Sequence, residues 1–322
     1  MDIPRELQTP QLKPDLVDVP RELQTPRIKT EPDRTFGFNI EEYFGEWMNG
    51  QVDDRYLPVY WWNNAATGYL ERHGGPFYAI PEVQAFVDAL PPGQYFTVSR
   101  GADGPYERLP PGVVVFSAGG RGDFPIPHLA EIEYCTVDPL TRPRDLLASF
   151  VGNIECGGPE VPRPIGRSSW NPDGVGAQLR RRMVAIFRGE PNCFVKPQVV
   201  QAWTGLGLAA HTNFCDIAKR SWFGLAPRGY GKTSYRLYEM IALGTIPVYL
   251  YDEPWLPYLD QLDWTEFAVL CHTSEMDGLP ARLRSIPEAE RLRMIARGQE
   301  LLPDYFTPDS VCKQIMRYVS LL

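Results

Sequence analysis

The stretch Trp222–Asp252 constrains the chain most. Trp222–Ala226 is an apolar run of strand length, and Pro227–Thr233 is a short loop rich in proline and glycine. Ser234–Leu243 carries Leu237, Met240, Ile241 and Leu243 at helical spacing. Gly244 stands where a helix ends in a left-handed residue, and Ile246–Leu250 is the next apolar run. Strand, loop, helix and strand in this order are the grammar of a parallel α/β sheet, in which ligands gather at the carboxyl ends of the strands. The helix N-terminus then lies at such an end, where free N–H groups and the helix dipole favour an anion.

The charges fit that reading. Arg228, Lys232 and Arg236 place three cations at the positive end of one helix. This is unfavourable unless an anion such as a diphosphate neutralises them. Gly229, Tyr230, Ser234 and Tyr235 complete the lining expected of such a site. Glu239 lies one turn deeper, where it either accepts hydrogen bonds from ribose hydroxyls or forms an i,i+3 ion pair with Arg236. A nucleotide phosphate loop, G-x-x-x-x-G-K-[ST], is the competing reading through Gly231-Lys232-Thr233. Its first glycine would fall at Ala226, followed by Pro227, which lacks an N–H donor. A phosphate-loop hydrolase is therefore an alternative, as is a catalytically inactive module that binds glycans.

The remaining chain divides into a tail and two halves: residues 1–34, 35–165 and 166–322. In the tail, Asp2-Ile3-Pro4-Arg5-Glu6-Leu7-Gln8-Thr9-Pro10 returns as Asp18-Val19-Pro20-Arg21-Glu22-Leu23-Gln24-Thr25-Pro26. Proline and charge predict an extended or disordered segment, or a linear motif used twice to dock a partner. Val59–Trp62, Tyr95–Val98, Val113–Phe116, Leu146–Phe150, Phe194-Val195 and Phe223–Leu225 are predicted strands; Ile80–Leu90 and Ala177–Phe187 are predicted helices. Arg180-Arg181-Arg182 reads as a solvated charge run, and Gly157–Asp173 as a linker. The formal net charge of -8 argues against a general nucleic-acid or anionic-membrane binder. Six scattered cysteines without a CxxC pair exclude a zinc-finger pattern and predict buried free thiols. The sequence contains neither a signal peptide nor an apolar run of transmembrane length, which points to the cytosol.

Ser221–Leu270 resembles the signature region of the exostosin family of inverting glycosyltransferases. The likeness is carried by Phe223, Pro227, Arg228, Gly229, Ser234, Arg236, Glu239, Gly244, Ile246, Pro247, Val248, Leu256, Pro257, Asp263 and Trp264. A weaker likeness covers Tyr95–Asp103, Val113–Leu129 and Leu146–Asn153. Gly224 and Thr245 stand where the family often has cysteine, and the family's usual membrane anchor does not appear. The resemblance implies a GT-B fold: two Rossmann-like domains facing a cleft, the C-terminal one holding a nucleotide-sugar and the N-terminal one a glycan acceptor. It implies a UDP-sugar donor (glucuronic acid, galactose, xylose, arabinose or N-acetylglucosamine) and no required cofactor. The sequence holds no D-x-D motif for a divalent ion, so Arg228, Arg236 and the helix dipole are expected to carry the leaving diphosphate. Inversion needs a base for the acceptor hydroxyl. Asp123 is the first candidate, in the loop Ser117–Asp123, with an Asx turn as its structural alternative; His128 and Asp103 follow. Arg121 is placed to hold the diphosphate or lower the Asp123 pKa.

Overall fold

The computed structural model describes residues 19, 20, 23, 39–49, 53–62, 64, 79–102, 104–129, 138–154, 174–198 and 208–322. Asp103, the third base candidate, the linker through Asp173, Cys135 and Cys156 lie outside them.

Two parallel sheets carry the fold. The smaller has the order β1-β2-β3, from Tyr95–Ser99, Val113–Ser117 and Phe124-Pro125. The larger has the order β5-β4-β6-β7-β8, from Leu146–Asn153 (β4), Cys193–Gln198 (β5), Ser221–Pro227 (β6), Ile246–Tyr251 (β7) and Val269–His272 (β8). Every pairing is parallel. The central strands read as near-continuous apolar runs because helices cover both faces of such sheets. The strand at Leu146–Asn153 belongs to the larger sheet, between β5 and β6, although the sequence division at residue 165 assigned it to the first half. The sheets thus divide between Pro125 and Leu146.

Helices follow the periodicity. They are Ile40–Trp47 (α1), Pro81–Asp88 (α2), Val175–Phe187 (α3), Leu208–Lys219 (α4), Tyr235–Ala242 (α5), Leu279–Ser285 (α6), Glu288–Tyr305 (α7) and Pro308–Val319 (α8). Helix α5 ends as expected: Gly244 has φ +64°, and its N–H and that of Thr245 bond back to Ile241 and Met240. Val59–Trp62 is not a strand. Its buried residues run irregularly into a helical turn, held where Trp61 Nε1 donates to Thr97 Oγ1 at 2.7 Å. Pro58 before it has no N–H for a ladder.

One core joins the two sheets. Phe96, Phe116 and Ile126 from the small sheet share a buried cluster with Leu237, Tyr249, Trp264 and Phe306. Helix α8 supplies Val311 and Ile315 to it, and the Tyr318 ring lies tilted against those of Phe116 and Phe124. The C-terminal helix therefore crosses back onto the N-terminal sheet. A second cluster lies under β4, β6 and β7 with α3 and α6.

The tail reading needs correction where the structure describes it. Val19 and Leu23 are 3% and 1% exposed, packed with Val59, Trp61, Val83 and Val87. Tyr60 N–H donates to the Leu23 carbonyl at 3.1 Å. Val19 and Leu23 of the second copy are seated on the protein, because two apolar residues four apart can face the same side of a single turn.

Candidate functional site

The carboxyl ends of β4 and β6 meet the N-terminus of α5. Ser234 holds the N-cap position, yet its side chain makes no capping bond. No side chain therefore caps the start of α5, where the helix dipole favours an anion, and the Leu237 N–H turns back to the Ser234 carbonyl at 3.1 Å. The alternative phosphate loop fails on geometry as well, since Ala226 is within β6 rather than at the start of a loop.

Four cations surround this end. Arg228 is 4% exposed; its Nη1 pairs with Asp252 at 2.5 Å, and its Nε and Nη2 bond the carbonyls of Gly231 and Tyr230 at 3.2 Å. Its guanidinium is thereby committed to shaping the loop. Lys232 pairs with Glu253 and lies over the Trp255 ring at 5.8 Å. Arg236 reaches back across β4: its guanidinium lies 5.0 Å from the Phe150 ring and 4.9 Å from that of Phe214. Gly152 leaves room for it, since a Cβ there would approach Arg236 Nη2 to 2.5 Å. Glu239 is half-buried one turn further along α5.

The fourth cation is Arg180, which the sequence reading placed on a solvated face. It is 6% exposed, and donates to the carbonyls of Arg228 at 2.8 Å, Asn153 at 2.7 Å and Pro227 at 3.0 Å. It ties the ends of β4 and β6 together. Among the described residues no carboxylate lies within ion-pair distance of it. Helical spacing contained the signal: Arg180 is three residues from both Ala177 and Met183, which are buried on the same face. Arg182 does face solvent, paired with exposed Asp277.

Opposite α5 stand the ends of the small sheet. Gly231 touches them so closely that a Cβ would meet the Gly119 carbonyl at 2.0 Å, and one on Gly120 would meet Lys232 N at 2.6 Å. The glycines of the loop Ser117–Asp123 are used here for backbone contact between the two halves. Trp255 Nε1 adds a bond to the Ser117 carbonyl at 3.2 Å. Arg100, just past β1, donates from Nη2 to the Tyr235 hydroxyl at 3.1 Å and lies 4.9 Å from the Trp62 ring.

The base candidates separate. Parallel pairing sets Phe124 beside Phe116, so Asp123 falls opposite Val115, two residues back from the end of β2. Its Oδ2 accepts the Val115 N–H at 2.8 Å, while its own N–H donates to the Val115 carbonyl at 2.9 Å. Asp123 and Arg121 are exposed. His128 lies at the junction instead, its ring centroid 3.8 Å from that of Tyr235, the first residue of α5. Its Nε2 is buried without a hydrogen-bond partner among the described residues. Burial, aided by the Arg100 charge, holds this imidazole well below its usual pKa, so it is neutral at pH 7.

Behind them lies Glu41, which no sequence pattern singled out. It is 1% exposed on α1 and accepts the N–H groups of Arg100 at 2.7 Å and Trp62 at 3.0 Å. Burial pushes its carboxyl up to about 8, against the lowering effect of these bonds and of the Arg100 charge.

Among the described residues no helix is long and apolar enough to cross a membrane. Cys193, Cys215, Cys271 and Cys312 are free thiols.

Comparison with known proteins agrees with the signature. A probable beta-1,4-xylosyltransferase, IRX10 of Arabidopsis thaliana, is 34% identical over 175 residues, covering 52% of this chain and 38% of that protein. A probable glucuronosyltransferase of Oryza sativa subsp. japonica is 37% identical over 90 residues, covering 28% of this chain and 21% of that one. The chain thus spans well under half the length of these relatives. Among solved structures, AviGT4, a glycosyltransferase involved in avilamycin A biosynthesis, aligns over 87% of this chain and 89% of its own, at 13% identity and a TM-score of only 0.34. The family model of the Exostosin GT47 domain matches residues 117–286, more than half the sequence and all of the arginine-ringed α5 junction, so the chain belongs to the exostosin GT47 family.

Proposed function

We propose that the chain acts as an inverting glycosyltransferase of GT-B architecture, transferring a sugar from a UDP-sugar to a glycan hydroxyl without a divalent ion. The carrying observation is the uncapped N-terminus of α5 with Arg180, Arg228, Lys232 and Arg236 around it. A leaving diphosphate develops negative charge, and oriented donors with a helix dipole stabilise it. In this reading β4–β8 form the donor half and β1–β3 the acceptor half. Arg228 acts by holding the loop, Arg236 and the N–H groups at the start of α5 by touching phosphate oxygens, and Glu239 by accepting ribose hydroxyls. The names of the plant relatives, a xylosyl- and a glucuronosyltransferase, support sugar transfer.

Of the base candidates, His128 is the one this reading adopts, supported by its place against Tyr235 at the start of α5. As the acceptor oxygen bonds the anomeric carbon, its proton passes to His128 Nε2, and the bond from that carbon to the diphosphate oxygen breaks, its electrons leaving with UDP. Nε2 is enclosed by the apposed loops, so substrate entry requires the α5 loop and the small-sheet loops to part. The test is calorimetric titration with UDP, and UDP-sugar hydrolysis without acceptor, each in EDTA and in manganese. Equal binding and turnover in both supports the proposal. Binding or turnover only with metal overturns the metal-free clamp, and binding of ATP in preference to every UDP compound overturns the donor class.

A further inference from the structure

The seated repeat has a duplicate. Val19 and Leu23 fill a groove made by Val59, Trp61, Val83 and Val87, with Ile80, Phe86 and Leu109 packed around it. The contact uses few features of the ligand. Two apolar side chains enter, the Leu23 N–H bonds back to the Pro20 carbonyl at 2.9 Å, and the Leu23 carbonyl accepts the Tyr60 N–H at 3.1 Å. Backbone bonds of this kind do not depend on side-chain identity. Residues 2–10 offer the same features in the same order, with Ile3 for Val19, Pro4 for Pro20 and Leu7 for Leu23. Eight of the nine positions are identical, and the exception exchanges one β-branched aliphatic residue for another.

We infer that the groove is a receptor for this nonapeptide and that residues 2–10 are its second ligand, competing in the same chain with residues 18–26. Tether length decides between chains and within one. From Leu23 to Asn39, where continuous described structure resumes, there are sixteen steps; from Leu7 there are thirty-two. Doubling a flexible tether lowers the effective concentration about threefold, whereas even the lower value remains on the order of millimolar. A copy arriving from another molecule at micromolar concentration is outcompeted. The N-terminal region is therefore a strap with two registers sixteen residues apart, the shorter one favoured about threefold. When the first copy is seated, residues 11–26 join the tether.

The experiment uses full-length chains with Leu7→Asp, Leu23→Asp and both, and reads amide hydrogen exchange at Tyr60, whose N–H is the receptor's own contact. With a threefold preference, Leu23→Asp leaves the first copy to occupy the groove, and Tyr60 protection falls about fourfold. Leu7→Asp changes it by less than about twofold, and the double variant loses the protection. The inference is overturned if Leu23→Asp alone exposes Tyr60 as fully as the double variant. It is equally overturned if protection in Leu23→Asp appears only as protein concentration rises, since that is docking between molecules. Should the double variant fail to fold, Leu23→Asp still decides: exchange within about tenfold of the parent supports the two registers, and exchange at the rate of an unstructured amide refutes them.

Discussion

Arg180 Nε donates to the main-chain carbonyl of Arg228 at 2.8 Å, so one buried arginine fixes the backbone of another. The first side chain spans three carbonyls at the ends of β4 and β6, and the second spans Asp252 and two carbonyls of its own loop. Together they stiffen the turn that leads into α5. Hydrogen bonds from a charged group are each worth about 1.5–3 kcal/mol. Arg180→Met, which keeps the stem and removes the fork, is expected to destabilise by about 3 kcal/mol and to weaken UDP more than tenfold. Denaturant melts and calorimetry check both. Unchanged UDP affinity in a destabilised Arg180→Met protein would show that the fork stabilises the fold alone.

Glu41 makes stability depend on pH in a direction of known sign. Its folded pKa, about 8, exceeds the ordinary 4.5. Between those values the folded state holds a proton that the unfolded state has lost, so stability falls as pH rises from about 4.5 to about 8. Glu41→Gln stays uncharged throughout. The variant's Tm, compared with the parent's, should rise by at least about 2 °C from pH 5 to pH 8, the shift roughly 1 kcal/mol gives in a protein of this size. The comparison with the parent cancels the other titrating groups, including His128, whose lowered pKa acts in the opposite sense. A constant difference across this range would mean that Glu41 is ionised in the fold.

The parts of this fold that were legible are those in which local pattern and global placement agree. Ser221–Tyr251 was readable because buried parallel strands are continuous apolar runs and Gly244 marks the helix end without ambiguity. Arg180 was misread because three consecutive arginines look like a solvated face, while only the helical phase shows which of them turns inward. The partner of Asp123 was not legible because composition does not encode parallel register: one pairing, Phe116 with Phe124, decides that its carboxylate accepts the Val115 N–H. Glu41 gave no signal, since its partners are backbone groups far along the chain. The tail looked coreless because Val19 and Leu23 are too few to form a core themselves, yet they suffice to finish one.

Glu239 tests the proposed nucleoside end of the site separately from the proposed phosphate end. It lies one turn inside α5, half-buried. Replacing it by alanine removes hydrogen bonds to a charged acceptor, which costs about 1.5–3 kcal/mol, or roughly ten- to hundred-fold in Kd. UDP should weaken by that factor while inorganic diphosphate, which lacks the ribose, should not. Calorimetry with the two ligands makes the comparison, and equal loss for both would assign Glu239 to the shape of the helix.

The base is tested by two variants whose outcomes must diverge. Asp123→Asn keeps the side-chain oxygen that accepts the Val115 N–H, so fold and transfer should both stay within a few-fold of the parent. His128→Gln keeps a polar side chain of similar reach against Tyr235 but removes the acceptor nitrogen's basicity. Transfer should fall by at least about a hundred-fold, the low end for general base catalysis, with UDP affinity nearly unchanged. The pH profile adds a check that a purely structural histidine would not move. A base held neutral well below the usual histidine range keeps transfer active into mildly acid solution, with loss only once the imidazole takes up a proton. The residual transfer of His128→Gln should lack that acid limb. If instead Asp123→Asn is the variant that loses a hundred-fold while His128→Gln retains transfer, the carboxylate at Val115 leaves its backbone partner during the reaction, and the assignment returns to it.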